Sequence, residues 1–272
     1  MLLARPWVNV FSARESAAEK VHFLLRLGVL GCFAGHGMWG VLGKPAWLPF
    51  FHVFFLPDAI AVPLMPIVGM IDIAIGLWVF FAPMPAVLAW AAFWTFFTAC
   101  LRPSAGMGMS EFFERAGNYG VPLAFLALVP RPATLRGWFE RVRPSSDAVR
   151  LRHVRWILTV SIASLLMGHG GLAFFLKKEL LLQHFAAIGL TLSLGQLQLF
   201  GLFEMALGLL VLLRPRWAGL MLFVFVYKLA TESLHPVAGR WIDILETIER
   251  MGDFVAPLAV IILLRDRREP AL

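Results

Sequence analysis

Eight predominantly apolar stretches, at 21–42, 60–81, 85–102, 111–130, 154–176, 194–213, 216–234 and 243–264, limit what this chain can fold into. Runs of roughly 20 such residues match the hydrocarbon core of a bilayer when they are helical. Inside lipid each backbone N–H and C=O needs a partner within the protein, which helices provide along their own length. Composition agrees: 60% of residues are hydrophobic and 15% charged, where soluble domains carry about 25% charged residues. Mean hydropathy is +0.78. The expected fold class is an all-α integral membrane protein with eight spanning helices, and the bilayer is its first partner. Two stretches, Trp47–Leu56 and Leu180–Leu192, are too short to cross and are expected at the interface. The N-terminal segment has Arg5, Arg14 and Lys20 but no short apolar region with a small-residue cleavage site, so the first apolar run is expected to stay as a helix.

The chain reads as a tandem duplication. Gly35-His36-Gly37 recurs as Gly168-His169-Gly170, and the run from Gly69 to Pro83 recurs from Gly201 to Pro215. TACLRP (98–103) matches TESLHP (231–236), and EFFERAGNYGVPLA (111–124) matches ETIERMGDFVAPLA (246–259). These blocks keep one order, with offsets of 132 to 135 residues. The organisation expected is a four-helix repeat at 1–130, a basic linker at 131–153 and a second four-helix repeat at 154–272. Four spans per repeat give both halves the same orientation, hence a pseudo-two-fold axis along the membrane normal.

The net charge of +7 follows the connecting segments. Fifteen Lys and Arg residues fall on the side of the termini and linker, against seven on the other, with Arg26 and Lys228 inside spans. The positive-inside rule then predicts a multi-pass cell-membrane protein with both termini cytoplasmic, and no nucleic acid is needed to explain the charge. Cys32 and Cys100 lie in apolar runs without a CxxC pair, and no complete metal motif is present.

That topology gathers the conspicuous polar residues at the outer face, with nothing comparable expected on the cytoplasmic side. Glu111, Glu114, Arg115 and Asn118 share one helical face at the start of span four. Glu246, Glu249, Arg250 and Asp253 repeat it. Asp243 with Glu246 fits a capping box. Glu–Arg at i,i+4 is the favourable pairing direction. Pro122 and Pro257 are expected to kink their helices. Asp72 and Glu204 hold matched mid-span positions flanked by Gly69/Gly76 and Gly201/Gly208. An acid there costs about 2.5–3.5 kcal/mol, which points to a partner or a protonatable role. Lys228 and Glu232 are spaced i,i+4 on span seven, where the first half has no charge. Arg102 and His235 close spans three and seven. His36 and His169, each between glycines, either hydrogen-bond to the span-four carboxylates or, if spans one and five meet at the axis, face each other as haem b ligands.

The segment GLFEMALGLLVLLRPRWAGLMLFVFVYKLATE, from Gly201 to Glu232, resembles the core of DoxX-like membrane proteins. That resemblance implies a four-helix membrane unit with an acid in helix two, matched by Glu204 and, with a shorter side chain, by Asp72. It also brings in an association of some DoxX-like proteins with quinone-dependent or thiol redox systems, and hence a membrane or periplasmic redox partner. The GHG and E-x-x-E-R-x-G-[ND] blocks lie outside the resemblance. The leading expectation is an outer-face polar pocket in each repeat that binds a quinone, or a membrane-anchor subunit of an oxidoreductase. A non-catalytic scaffold or assembly subunit and a small-molecule transporter remain open, and whether the chain is itself an enzyme is not decided by these residues.

Overall fold

The computed structural model of the protein describes residues 8–10, 12 and 14–266. Arg5, Arg267 and Arg268 of the basic count lie outside the described residues. All regular structure among the described residues is helical: α1 (Ala17–Val41), α2 (Leu48–His52), α3 (Asp58–Phe81), α4 (Pro85–Ser104), α5 (Met109–Glu114), α6 (Ala116–Leu128), α7 (Ala148–Phe174), α8 (Glu179–Ala187), α9 (Leu194–Leu213), α10 (Ala218–Glu232), α11 (Leu234–Ala238), α12 (Ile244–Glu249) and α13 (Met251–Arg265), with short 3₁₀ turns between some of them. Local signals set the starts. Ser16 with Glu19 and Ser193 with Gln196 form capping boxes for α1 and α9. Asp147 caps α7 through the Val149 amide. The two expected interfacial stretches contain the short helices α2 and α8.

Among the described residues six helical tracts, rather than eight, are long and apolar enough to cross a membrane: α1, α3, α4, α7, α9 and Ala218–Ala238. The protein is therefore a helical bundle of multi-pass character. The expected spans at 111–130 and 243–264 are each two helices. They break at Arg115 (φ −83°, ψ 9°) and Arg250 (φ −91°, ψ 19°). Pro122 and Pro257 lie inside α6 and α13, seven residues beyond the interruptions, so the discontinuity is not at the prolines as the sequence suggested. Alone, the 13 residues of α6 rise about 20 Å, short of a roughly 30 Å core.

The layering follows from burial. The apolar windows of α1 and α7 are 72% and 67% buried, those of α3, α4, α9 and Ala218–Ala238 only 28–33%. So α1 and α7, with α6 and α13, form the interior, and the other long helices keep apolar faces turned outward. Backbone meets backbone along two lines. Gly37 lies against the Gly69 carbonyl and Gly170 against the Gly201 carbonyl, which locks α1 onto α3 and α7 onto α9. A third close approach, Gly117 on Gly252, joins α6 to α13 at the centre. Small residues are what permit such contact between spanning helices.

The end of the bundle near the termini is held by cations on helix C-termini. Arg26 donates to the Phe80 carbonyl (3.0 Å), Arg150 to that of Val129 (3.0 Å) and Arg141 to that of Phe81. Polar groups are buried at this end too, where nothing comparable to the outer cluster was expected. His22, Arg26 and Arg155 are all buried there, with His22 edge-on to Phe125 and Arg26 over the rings of Phe23 and Phe80.

Gly201→Leu, which drives a side chain into the α7 backbone, should lower stability by about 1–3 kcal/mol. Gly195→Leu, at a position with nothing within 4 Å, should leave it unchanged. Thermal unfolding in detergent compares the two; equal melting temperatures would mean that α7 and α9 do not touch at Gly201.

Candidate functional site

The two breaks hold each other. Arg115 bonds its neighbour Glu114 (2.8 Å) and reaches across to Glu249, while Arg250 reaches back to Glu114 (3.1 Å) and bonds Glu246 (2.7 Å). All four residues of the Glu114/Arg115 and Glu249/Arg250 pairs are buried. The GHG motifs explain how the breaks fit. Gly35 lies against the Glu249 amide and the Leu245 carbonyl, and Gly168 against Phe113 and the Glu114 amide. One glycine of each motif thus admits the interrupted backbone, and the other admits α3 or α9.

Around this centre the remaining cations find acids. Glu111 pairs with Arg102 (3.0 Å) and Lys178, and Lys44 pairs with Glu246. The i,i+4 pairing expected within each helix start forms for Glu246–Arg250 but not for Glu111, whose partners come from α4 and the α7–α8 turn. Asp243 does not cap with Glu246. Its carboxylate accepts from the Arg240 amide (2.6 Å), because Glu246 is taken by Lys44 and Arg250. Lys228, fully buried, bonds Glu232 (2.5 Å) and lies 3.9 Å from Asp253. Glu232 is also approached by His169 (3.4 Å), His235 (3.4 Å) and Arg250 (3.3 Å).

The matched mid-span acids have different partners. Asp72 accepts from or donates to His36 Nδ1 at 3.1 Å, and His36 lies on the Trp47 ring, 4.3 Å between centroids. Glu204 accepts from the Tyr227 hydroxyl at 2.9 Å. The partner of His36 is thus the span-two acid rather than a span-four carboxylate. His169 does approach one, Glu114, at 3.6 Å.

Two cavities adjoin this network. The first, about 190 Å³, has walls rich in aromatic rings (Trp47, Phe50, Phe51, Phe54, Trp94, Phe97) and a polar end formed by His36, Asp72, Arg102, Arg115, Asn118 and Glu249. The second, about 450 Å³, is polar and broad, bordered by Glu111, Glu114, His169, Glu204, Glu232, His235, Glu246 and Arg250. Arg102, Arg115 and Glu249, with Trp47 and Phe50, border both. Lys228 and Asp253 border neither and lie behind the second cavity. All sixteen residues singled out from the sequence therefore belong to one connected region. His36 borders the first cavity and His169 the second, and α6 meets α13 at the Gly117–Gly252 contact between the halves.

His169, Glu232 and Asp253 place ligand atoms within 4.8 Å of one another, a cluster that could hold a metal ion. The Lys228 ammonium already supplies positive charge to Glu232 and Asp253. Residues not singled out from the sequence include Lys44, Lys178, Tyr227, His184 and the aromatic wall. Tyr227 is one of only two tyrosines and lies within the Gly201–Glu232 segment that carries the resemblance, which is the one signal that marked it. His184 is buried against His235, and this burial, with the His235 charge, pushes it down to about 4. No family model, curated protein or solved structure matches the chain.

Arg115→Met should cost about 3–5 kcal/mol, because Glu249 is left buried without its partner. Adding Glu249→Leu should return part of that loss, a coupling of about 1–3 kcal/mol in a double-mutant cycle. Strictly additive losses would show that the pair across the breaks is not formed. A second expectation concerns pH. His184 in the folded chain binds its proton only well below the usual 6.5, so the unfolded chain holds more protons between about 6.5 and 4. Stability should fall as pH drops through that window, and His184→Gln should flatten the fall. An unchanged slope in the variant would assign the acid sensitivity to other groups.

Proposed function

We propose that the protein is a DoxX-like, quinone-binding component of a membrane redox system, and that the aromatic cavity of the first half takes the quinone head. The observation that carries this reading is the cavity's division into ring-lined walls and one polar end. Its 190 Å³ is below the roughly 300–1,000 Å³ of sites that enclose drug-sized ligands. It suits a flat head with its apolar tail left in the bilayer. A quinone head offers two carbonyl acceptors and takes up protons when it is reduced. Arg102, Arg115 and the Asn118 amide supply donors at the polar end, and the hydrogen-bonded His36–Asp72 pair can hold or pass a proton there. The acid that matters most for this ligand is thus Asp72, while Glu204, bonded to Tyr227, faces the polar cavity.

The same reading has the tracts α5–α6 and α12–α13 crossing the membrane as broken helices, for eight crossings in two four-helix units. The matched close approaches Gly37–Gly69 and Gly170–Gly201 support such a repeat, as does the reciprocal exchange between the breaks. It also has both termini cytoplasmic in a cell membrane, with the polar cavity outward, where a periplasmic redox partner has access. Broken helices at membrane depth are tolerated where they border protein or a polar cavity, which is the setting of both breaks.

The test is mass spectrometry of small molecules extracted from protein purified in mild detergent, scanned for quinones and haem together. Stoichiometric quinone is expected in the wild type. His36→Ala and Asp72→Asn should each lower the affinity for added decylubiquinone about tenfold, the equivalent of one lost hydrogen bond. If bulk lipid alone is extracted and decylubiquinone does not bind, the quinone reading fails and a scaffold role becomes the better account.

A further inference from the structure

The two halves do not offer the same space to a ligand. By the block alignment, Thr95, Ala99 and Asn118 of the first half correspond to Lys228, Glu232 and Asp253 of the second, and Cys32 and Phe33 to Leu165 and Leu166. All five first-half residues border the aromatic cavity. Of their counterparts only Glu232 borders the polar cavity. Leu165 and Leu166 are fully buried, as is Lys228, and Asp253 is 1% exposed. The deep part of the slot, open in the first half, is thus filled in the second.

The chemistry of the filling is specific. Ala99 carries no reach, and the Thr95 hydroxyl is turned back to the Ala91 carbonyl at 2.7 Å, so neither projects a polar group into the slot. Their counterparts are two long side chains that bond each other at 2.5 Å, with Asp253 3.9 Å from the ammonium. A buried ion pair leaves few partners unsatisfied only while both members stay in place, so the filling is self-consistent and stationary.

We propose that Lys228, held by Glu232 and Asp253, is a built-in plug that closes the deep part of the second half's copy of the slot, whose outer part opens into the polar cavity. Each chain then has a single site for a lipophilic, ring-bearing molecule, and Thr95, Ala99 and Asn118 are the residues that keep it open. This rests on the reading of the aromatic cavity as a ligand slot, but not on the ligand being a quinone.

Cys32 makes the plug testable without any ligand, because it is a free thiol at the slot's inner wall. In a Cys100→Ser background, a lipophilic maleimide at about pH 9 should label Cys32 on prolonged exposure, and no labelling under these conditions overturns the open slot. The plug transplanted as T95K/A99E/N118D should slow that labelling about tenfold or more through lost access. In a C32S/C100S background, L165C should label as slowly as the plugged variant. Adding K228T/E232A/D253N, which removes the charges together, should raise its rate toward that of Cys32. Monodispersity on size exclusion selects the folded variants, and the two swaps are independent, so either alone decides. The proposal is overturned if L165C labels as fast as Cys32 with the plug intact, or if the transplanted plug leaves the Cys32 rate unchanged. A preparation that neither holds quinone nor binds decylubiquinone, yet shows these rates, would sink the quinone reading and leave the plug standing.

Discussion

The reciprocal exchange Arg115–Glu249 and Arg250–Glu114 is the interaction on which the rest of this structure depends. Burying four charges costs several kcal/mol per ion before any pairing. The exchange offsets that burial because each guanidinium, at the residue where its helix is interrupted, meets the carboxylate just before the other interruption. The breaks at Arg115 and Arg250 let each guanidinium lie across the other interrupted helix. Those breaks in turn need room, and Gly35 and Gly168 supply it by letting α1 and α7 lie against bare backbone. Charge pairing, helix interruption and the glycine pattern are therefore one constraint seen at three levels.

Much of this was legible in the sequence, for a definite reason. Membrane burial makes every charged residue conspicuous, so sixteen residues could be picked out against an apolar background, and they share one region. Gly69, Gly76, Gly201 and Gly208 were legible as close-approach positions, and each does face a neighbouring helix. Partners were not legible. A spacing of i,i+4 says that Glu111 can reach Arg115, but it says nothing of Arg102 or Lys178, which arrive from other segments and are chosen by tertiary position. Prolines were the obvious candidates for interruption, yet a proline well inside a helix whose surroundings accept it is less disruptive than a guanidinium drawn to a distant carboxylate. The aromatic cavity was invisible because Trp and Phe occur throughout a lipid-facing chain, and its rings come from α4 and the segment around α2.

The cavities take their characters from the segments that close them. Over the first half lie Trp47, Phe50, Phe51 and Phe54; over the second lie Leu180, Gln183, His184 and Phe185. Both stretches were expected at the interface, but they differ in the side chains they present. Four rings border the cavity that the His36–Asp72 pair faces, and such an apolar surround strengthens a hydrogen bond made there. A glutamine and a histidine put polar groups on the other cavity's border.

The mid-span acids diverge in length and in neighbour, since Tyr227 beside Glu204 is matched by Trp94 in the first half. Asp72, the shorter, stays close to its own helix and meets His36 on α1, which fixes the imidazole against Trp47. Glu204 reaches the Tyr227 hydroxyl on α10 instead. That leaves His169 without the matched carboxylate, and it turns to Glu232 and Glu114. A histidine held by one buried acid beside an apolar slot is suited to exchange a proton with something in the slot. A histidine set between two acids that already answer to Lys228, Arg115 and Arg250 is suited to hold a network together. The same GHG motif thus sets its histidine against one acid beside the aromatic cavity in one half and between two acids of the charge network in the other, and the halves differ there both in the length of the mid-span acid and in Tyr227 against Trp94.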